Sequence, residues 1–158
     1  MKAWHFVNEE KTLRDGNTVA AGYVYRVDGP LKLCAWGLHA SINPLDALNY
    51  APGPIICRVE MGGEIHTTRD KCVAETREVL WMADADQTLR HFARLCALDV
   101  IHLWEAPDVV VLYLKTGDKS LREASWAASR EASRVASDAA SRVAHKNRLT
   151  KMLNELAP

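Results

Sequence analysis

His5, His39 and Tyr50 are the residues of this chain whose types and spacing can do chemistry together. His39 lies in Gly37-Leu38-His39-Ala40-Ser41, which reads as the end of a strand. Tyr50 comes eleven positions later, in Asp46-Ala47-Leu48-Asn49-Tyr50-Ala51, at the end of a short helix. Cys57-Arg58-Val59-Glu60-Met61-Gly62 follows as the next strand. A strand, short helix, strand unit can set His39 and Tyr50 on one cleft, with His5 contributed by the first strand. Each residue also has a plainer reading. His5, between Trp4 and Phe6, fits a hydrogen-bonded core or edge position. His39 can bond a backbone carbonyl at a strand end, and Tyr50 can be a core aromatic with its hydroxyl at the surface.

The elements that must position these residues are legible in outline. MKAWHFV, VAAGYVYRV, LKLCAWGLHA, PIICRVEM and CVAETREVLW are rich in Val, Ile, Tyr, Trp and Cys and read as strands. Asp15-Gly16, Asp28-Gly29-Pro30, Gly53-Pro54 and Gly62-Gly63 read as turns between them. Asn43 as N-cap, Pro44 at the first helical position and Pro52-Gly53 as a stop give a helix over 44–51. Beyond residue 83 the period becomes helical. Asp84 with Gln87, or Asp86 alone, can cap a helix carrying Leu89, Phe92, Ala93, Cys96 and Val100. Residues 107–116 fit either a buried strand or a helix. The apolar run 109–114 favours the strand, and Pro107 with Gly117 favours the helix, the reading preferred here.

The chain has 158 residues, with 20 Lys and Arg balancing 20 Asp and Glu. That neutrality argues against a basic nucleic-acid binder and against an acidic disordered chain. Apolar residues make up 48%, an ordinary globular composition. No apolar run is long enough to span a membrane. The start, MKAWHFVNEEKTLRD, lacks the apolar stretch of a signal peptide, so a cytoplasmic protein is expected. Cys34, Cys57, Cys72 and Cys96 form no C-x-x-C pair and read as free, mostly buried thiols. The spacing of His91, Cys96 and His102 does not suit a zinc site on a helix.

Residues 119–158 carry 8 Lys and Arg against 4 Asp and Glu. They contain a four-residue repeat, REAS, WAAS, REAS, RVAS, DAAS, RVAH, opened by the capping box Ser120-x-x-Glu123. Its alanine row drifts round a helix, while Leu121, Ala128, Val135, Arg142, Leu149 and Leu156 recur at sevens. A long Ala/Ser-rich helix buries little area alone, so it needs a partner: another copy of the chain or its own body. The expected organisation is an α+β domain over 1–118 and a helical tail over 119–158.

The Gly37–Ser41, Ala47–Ala51 and Cys57–Gly62 runs together resemble the core of the ADP-ribosyltransferase superfamily, in its poly-ADP-ribose polymerase branch. There a Gly-Ile-Tyr-Phe-Ala strand leads into Ser-x-Ser-Ala-Asn-Tyr-Cys-type sequence, and a Gly-Glu-Val-x-x-Gly strand follows. The likeness covers residues 2–82. It implies a small, split, mostly antiparallel sheet and binding of NAD or another ADP-ribose-containing nucleotide. On that likeness His5 would hold the ribose, His39 would line the site and Tyr50 would stack on nicotinamide. Glu78, in Thr76-Arg77-Glu78-Val79-Leu80-Trp81, is the first choice for the catalytic glutamate, with His39 beside it. Asp108 is the second choice. Such a carboxylate would stabilise the cation-like sugar formed as the nicotinamide bond breaks. Two departures stand out: His39 replaces a tyrosine, and Phe6 replaces the small residue that follows the family's histidine.

The whole chain also resembles a group of phage and bacterial proteins. These share a Lys-Ala-Trp-His-Phe-type start, the Gly-Leu-His-Ala-Ser stretch, Tyr-Ala-Pro-Gly and an Ala-rich C-terminal helix. That likeness implies a phage accessory role in the host cytoplasm. The alternative function is therefore a non-catalytic phage protein that binds a host defence protein and self-assembles through its tail.

Overall fold

The computed structural model describes residues 1–103, 106–123, 125 and 139–157, and for 139–144 the backbone alone. The fold is α+β, built on an antiparallel sheet. The chain forms two compact units, Met1–Asp86 with Thr150–Pro158, and Gln87–Leu149. Among the described residues no helix is long and apolar enough to cross a membrane.

The first unit contains β1 (Lys2–Val7), β2 (Val24–Arg26), β3 (Leu38–Ala40), α1 (Pro44–Leu48), β4 (Ile55–Thr67) and β5 (Cys72–Asp84). β4 and β5 form one long antiparallel hairpin. β1 pairs with the far edge of β4, while β2 and β3 share the far edge of β5. Trp4 and Ser41 then exchange backbone hydrogen bonds of 2.7 and 2.9 Å. This links β3 back to β1, so β1, β4, β5 and β3 pair in a ring. A closed ring leaves few exposed strand edges. Its interior holds Ala3, Val7, Ala40, Ile55, Cys57, Val59, Met61, Cys72, Ala74 and Val79, with Val19 from the connecting segment. On the outer face Arg58 lies over the Trp4 ring, 4.4 Å from its centroid, and Trp4 meets Trp81 edge-on.

Gly62-Gly63 is not a turn; β4 runs straight through it. The hairpin turns at 68–71 instead, where Thr68 N–H donates to the Lys71 carbonyl at 2.8 Å. The two glycines belong to a bulge. Gly62 pairs with Thr76 and Ile65 with Ala74, so residues 63 and 64 face only Glu75. Gly63 has φ +72°, and a Cβ there would strike the Glu75 carboxylate. A second irregularity leaves Leu80 unpaired between Val79 and Trp81.

α1 begins as its sequence indicates. Asn43 Oδ1 accepts from Leu45 N–H at 3.3 Å, and Pro44 takes the first helical position.

The second unit is helical. It comprises α2 (Asp86–Asp99), α3 (Asp108–Thr116) and α4 (Ala139–Asn154), whose last turns count with the first unit. Asp84 Oδ1 accepts from Asp86 N–H at 2.8 Å where α2 starts. Residues 108–116 are helix, as preferred, with Gly117 left-handed at the C-terminal end. The capping box at Ser120 does not form; Asp118 accepts from Ser120 N–H instead and starts a single 3₁₀ turn. Asp99 on α2 receives Arg148 Nη1 at 2.7 Å, and His145 Nε2 lies 3.2 Å away. The centre of the four-residue repeat, 126–138, lies outside the described residues, and with it the proposed tail association.

Candidate functional site

His39 stands on β3, opposite Val73 of β5. Both of its ring nitrogens are engaged. Nε2 accepts from Cys34 N–H at 3.0 Å, and the Gly37 carbonyl hydrogen-bonds the ring from the other side. That fixes a neutral tautomer with its proton on Nδ1. Burial pushes the His39 pKa down, the Gly37 carbonyl opposes this, and the charges of Arg77 and Lys71 add to the fall. The histidine therefore pins the 32–36 turn, in which Lys32 and Trp36 exchange backbone hydrogen bonds of 2.8 and 2.7 Å. Cys34 takes the left-handed conformation there, at φ 63°. Its thiol is exposed, unlike Cys57 and Cys72, although its neighbours in sequence are apolar. Gly37 ends the turn at φ +122°, and any Cβ would strike the Val73 side chain. The Gly in Gly-Leu-His is required by that close approach.

Tyr50 lies just past α1, with 52% of its surface exposed. Its hydroxyl donates to Asp70 in the β4–β5 turn. Lys71 Nζ sits 5.0 Å from the ring centroid. The hydrogen bond to Asp70 raises the Tyr50 pKa, and the same bond lowers that of Asp70. A hydrogen bond with Cys34 raises Lys71. The end of α1, the β4–β5 turn and the 32–36 turn thus meet in one surface cluster of Tyr50, Asp70, Lys71, Cys34 and His39. Asp70 and Lys71 carry no motif, and only the tertiary pairing of the hairpin turn with α1 marks them.

His5 belongs elsewhere. It pairs with Cys57, and both face the interior of the sheet. Its Nε2 is buried without a hydrogen-bond partner among the described residues. Burial first, then the charges of Arg77 and His39, drive its pKa well below the ordinary histidine value. Its interior neighbour is Arg77, which carries no sequence signal of its own. Arg77 pairs with Met61 of β4 and Tyr25 of β2, on the inward side. Its Nη1 donates to the His39 carbonyl at 2.8 Å.

Glu78 points the other way. It is exposed and pairs with Glu60 and Val24 on the outward side. The bulge decides this. Counting alternately from Cys72 and Ala74 would turn Glu78 inward and Arg77 outward. The irregularity at Glu75 exchanges them, so Glu78 is on the opposite face from His5. Asp108 opens α3 in the second unit. His39 and Tyr50 are therefore brought together, His5 faces the interior behind them, and Glu78 is brought to none of the three. Among the described residues no group of three or more His, Cys, Asp or Glu converges as a metal site.

No curated protein and no solved structure matches the chain. A family model does match residues 1–91, the stretch that contains all five strands, α1 and every residue of the cluster. With more than half its length matched in this way, the chain belongs to the family described as Domain of unknown function (DUF7666).

Proposed function

We propose that the β-rich unit is a binding module for NAD or another ADP-ribose-containing nucleotide, acting without transfer of the ADP-ribose. The observation that carries this reading is the half-exposed Tyr50 ring with a cation and a carboxylate fixed beside it. An exposed aromatic face can stack on a nicotinamide or adenine ring. The Lys71 ammonium can meet a phosphate, and Asp70 can accept from ribose hydroxyls. His39 contributes by holding the 32–36 turn against this cluster, its own ring nitrogens being occupied. The resemblance to ADP-ribosyltransferases supports the ligand class. Transfer would need a carboxylate at the sugar, and Glu78 lies on the opposite side of the sheet from His5.

Calorimetric titration with NAD and with ADP-ribose tests the reading. Tyr50→Ala should weaken binding by about fivefold, a stacking loss of about 1 kcal/mol. Lys71→Ala should weaken ADP-ribose and make the remaining affinity less sensitive to salt. Glu78→Gln should leave both affinities unchanged. Absence of heat with millimolar nucleotide would end the nucleotide reading. The alternative would then stand: a phage-type accessory protein whose target is a host protein, with self-association through the tail.

A further inference from the structure

Arg77 is the anomaly of the sheet interior. Its side chain is 2% exposed, yet among the described residues no carboxylate pairs with it. One of its nitrogens, Nη1, is satisfied by the His39 carbonyl. Nε and Nη2 are buried and have no hydrogen-bond partner among the described residues. The surrounding groups do not supply one. Tyr25 faces the guanidinium with its ring, 5.9 Å away, while its hydroxyl donates to the Thr18 carbonyl and accepts from Ala20 N–H. Cys57 is a thiol that burial holds protonated against the opposing charge of Arg77, its pKa pushed up to about 12. Asp15 acts on Arg77 only at a distance and is itself exposed.

Burying a guanidinium without a counter-charge is costly, and an unmet N–H beside it adds to that cost. Two features offset it in proteins: an internal carboxylate or a bound anion. Among the described residues the first is missing. His5 adds, among the described residues, a third unpartnered nitrogen, Nε2, from strand β1. His5 keeps a minor part of its surface exposed, although Nε2 itself is buried. We propose that Arg77 and His5 form an internal oxyanion site that takes one phosphate group, held by Arg77 Nε and Nη2 and by the His5 ring. The guanidinium fork matches two phosphate oxygens, and a neutral imidazole carrying its proton on Nε2 can donate to a third. This site is distinct from the Tyr50 cluster and does not depend on the nucleotide reading.

The phosphate can come from free inorganic phosphate or from a phosphorylated small molecule, and the experiment separates the two. Thermal unfolding of the full chain is followed with increasing inorganic phosphate against chloride at equal ionic strength. Binding to the native state alone should raise the midpoint by about 5 °C at saturation. Arg77→Met and His5→Phe should each abolish the rise, whether or not they shift the midpoint in chloride. Tyr50→Ala should keep it, which distinguishes failure of the nucleotide reading from failure of this one. A phosphorylated small molecule as the natural source would make ADP-ribose act at lower concentration than phosphate in the Tyr50→Ala protein. Equal potency there would point to free phosphate. If Arg77→Met does not fold, a saturable phosphate response lost in His5→Phe still supports the site. The site is overturned if the wild-type midpoint does not respond to phosphate. An equal response in Arg77→Met or His5→Phe overturns it too.

Discussion

His39 shows how a residue with catalytic chemistry can serve as a structural pin. Its neutral ring accepts from Cys34 N–H, so a second proton would remove the acceptor and set two donors face to face. Burial, with Arg77 and Lys71, holds its folded pKa below the ordinary value. A histidine with a lowered folded pKa contributes stability that is intact above its unfolded value, about 6.5, and is lost as pH falls through the folded one. His5 acts in the same direction from the interior. Hydrogen-exchange protection of the Cys34 amide should therefore fall as pH drops below about 6.5, before that of the β4–β5 ladder. Protection that stays constant relative to the ladder over this range would refute the pin. At this same scale the sequence identified His5, His39 and Tyr50 as polar or aromatic groups in apolar runs. It did not reveal Arg77, because nothing about an arginine in Thr-Arg-Glu-Val says which way it faces.

The β4–β5 hairpin is the element that decides which side chains face the interior. Its Gly62-Gly63 pair reads as a turn, because Gly-Gly favours turns wherever the local chain is all that is considered. In the structure the pair lets the strand bulge past Glu75, with Gly63 left-handed and its α-carbon against the Glu75 side chain. Gly63→Ala should destabilise the protein by about 1–3 kcal/mol, from a left-handed non-glycine residue plus a side-chain clash. Urea unfolding monitored by circular dichroism measures it. A loss below about 0.5 kcal/mol would show that Glu75 swings aside and that the conformation itself costs little. Helix ends were more legible than strand registers. Asn43-Pro44, Asp84 and Gly117 act within one turn of their own position, so local chemistry suffices. A register shift depends on a partner strand far along the chain, which local patterning does not contain.

At the scale of the molecule, the sequence divides by composition into a body and a tail, whereas the compact units divide after Asp86 and return at Thr150. The last residues count with the first unit, so removing 119–158 also removes a piece of it. Leu153 is fully buried, as is Leu149. Leu153→Ala should cost about 2–5 kcal/mol, the range for truncating a buried leucine, and lower the urea midpoint accordingly. A near-neutral result would mean that the C-terminal turns do not support the fold. Leu149 was marked by its heptad spacing; Leu153 lies between the heptad positions and was not.

What the chain's sequence determined alone is what acts locally. That covers the α+β class, the strand-rich half, where α1, α2 and α3 begin to within a residue, the Asn43 cap, and the residues worth suspecting as a site. Periodicity, capping side chains and turn residues operate over a few positions, and a single sequence contains all of their terms. Only the tertiary structure decided that β3 returns to β1 through Trp4 and Ser41. The same is true of the joining of Tyr50 to the hairpin turn through Asp70 and Lys71, and of the exchange of Arg77 and Glu78 between inside and outside. Each of these depends on which strands pair and in what register. One bulged residue reverses every face beyond it, so the interior charge is set by pairing between distant segments, not by the residues that carry it.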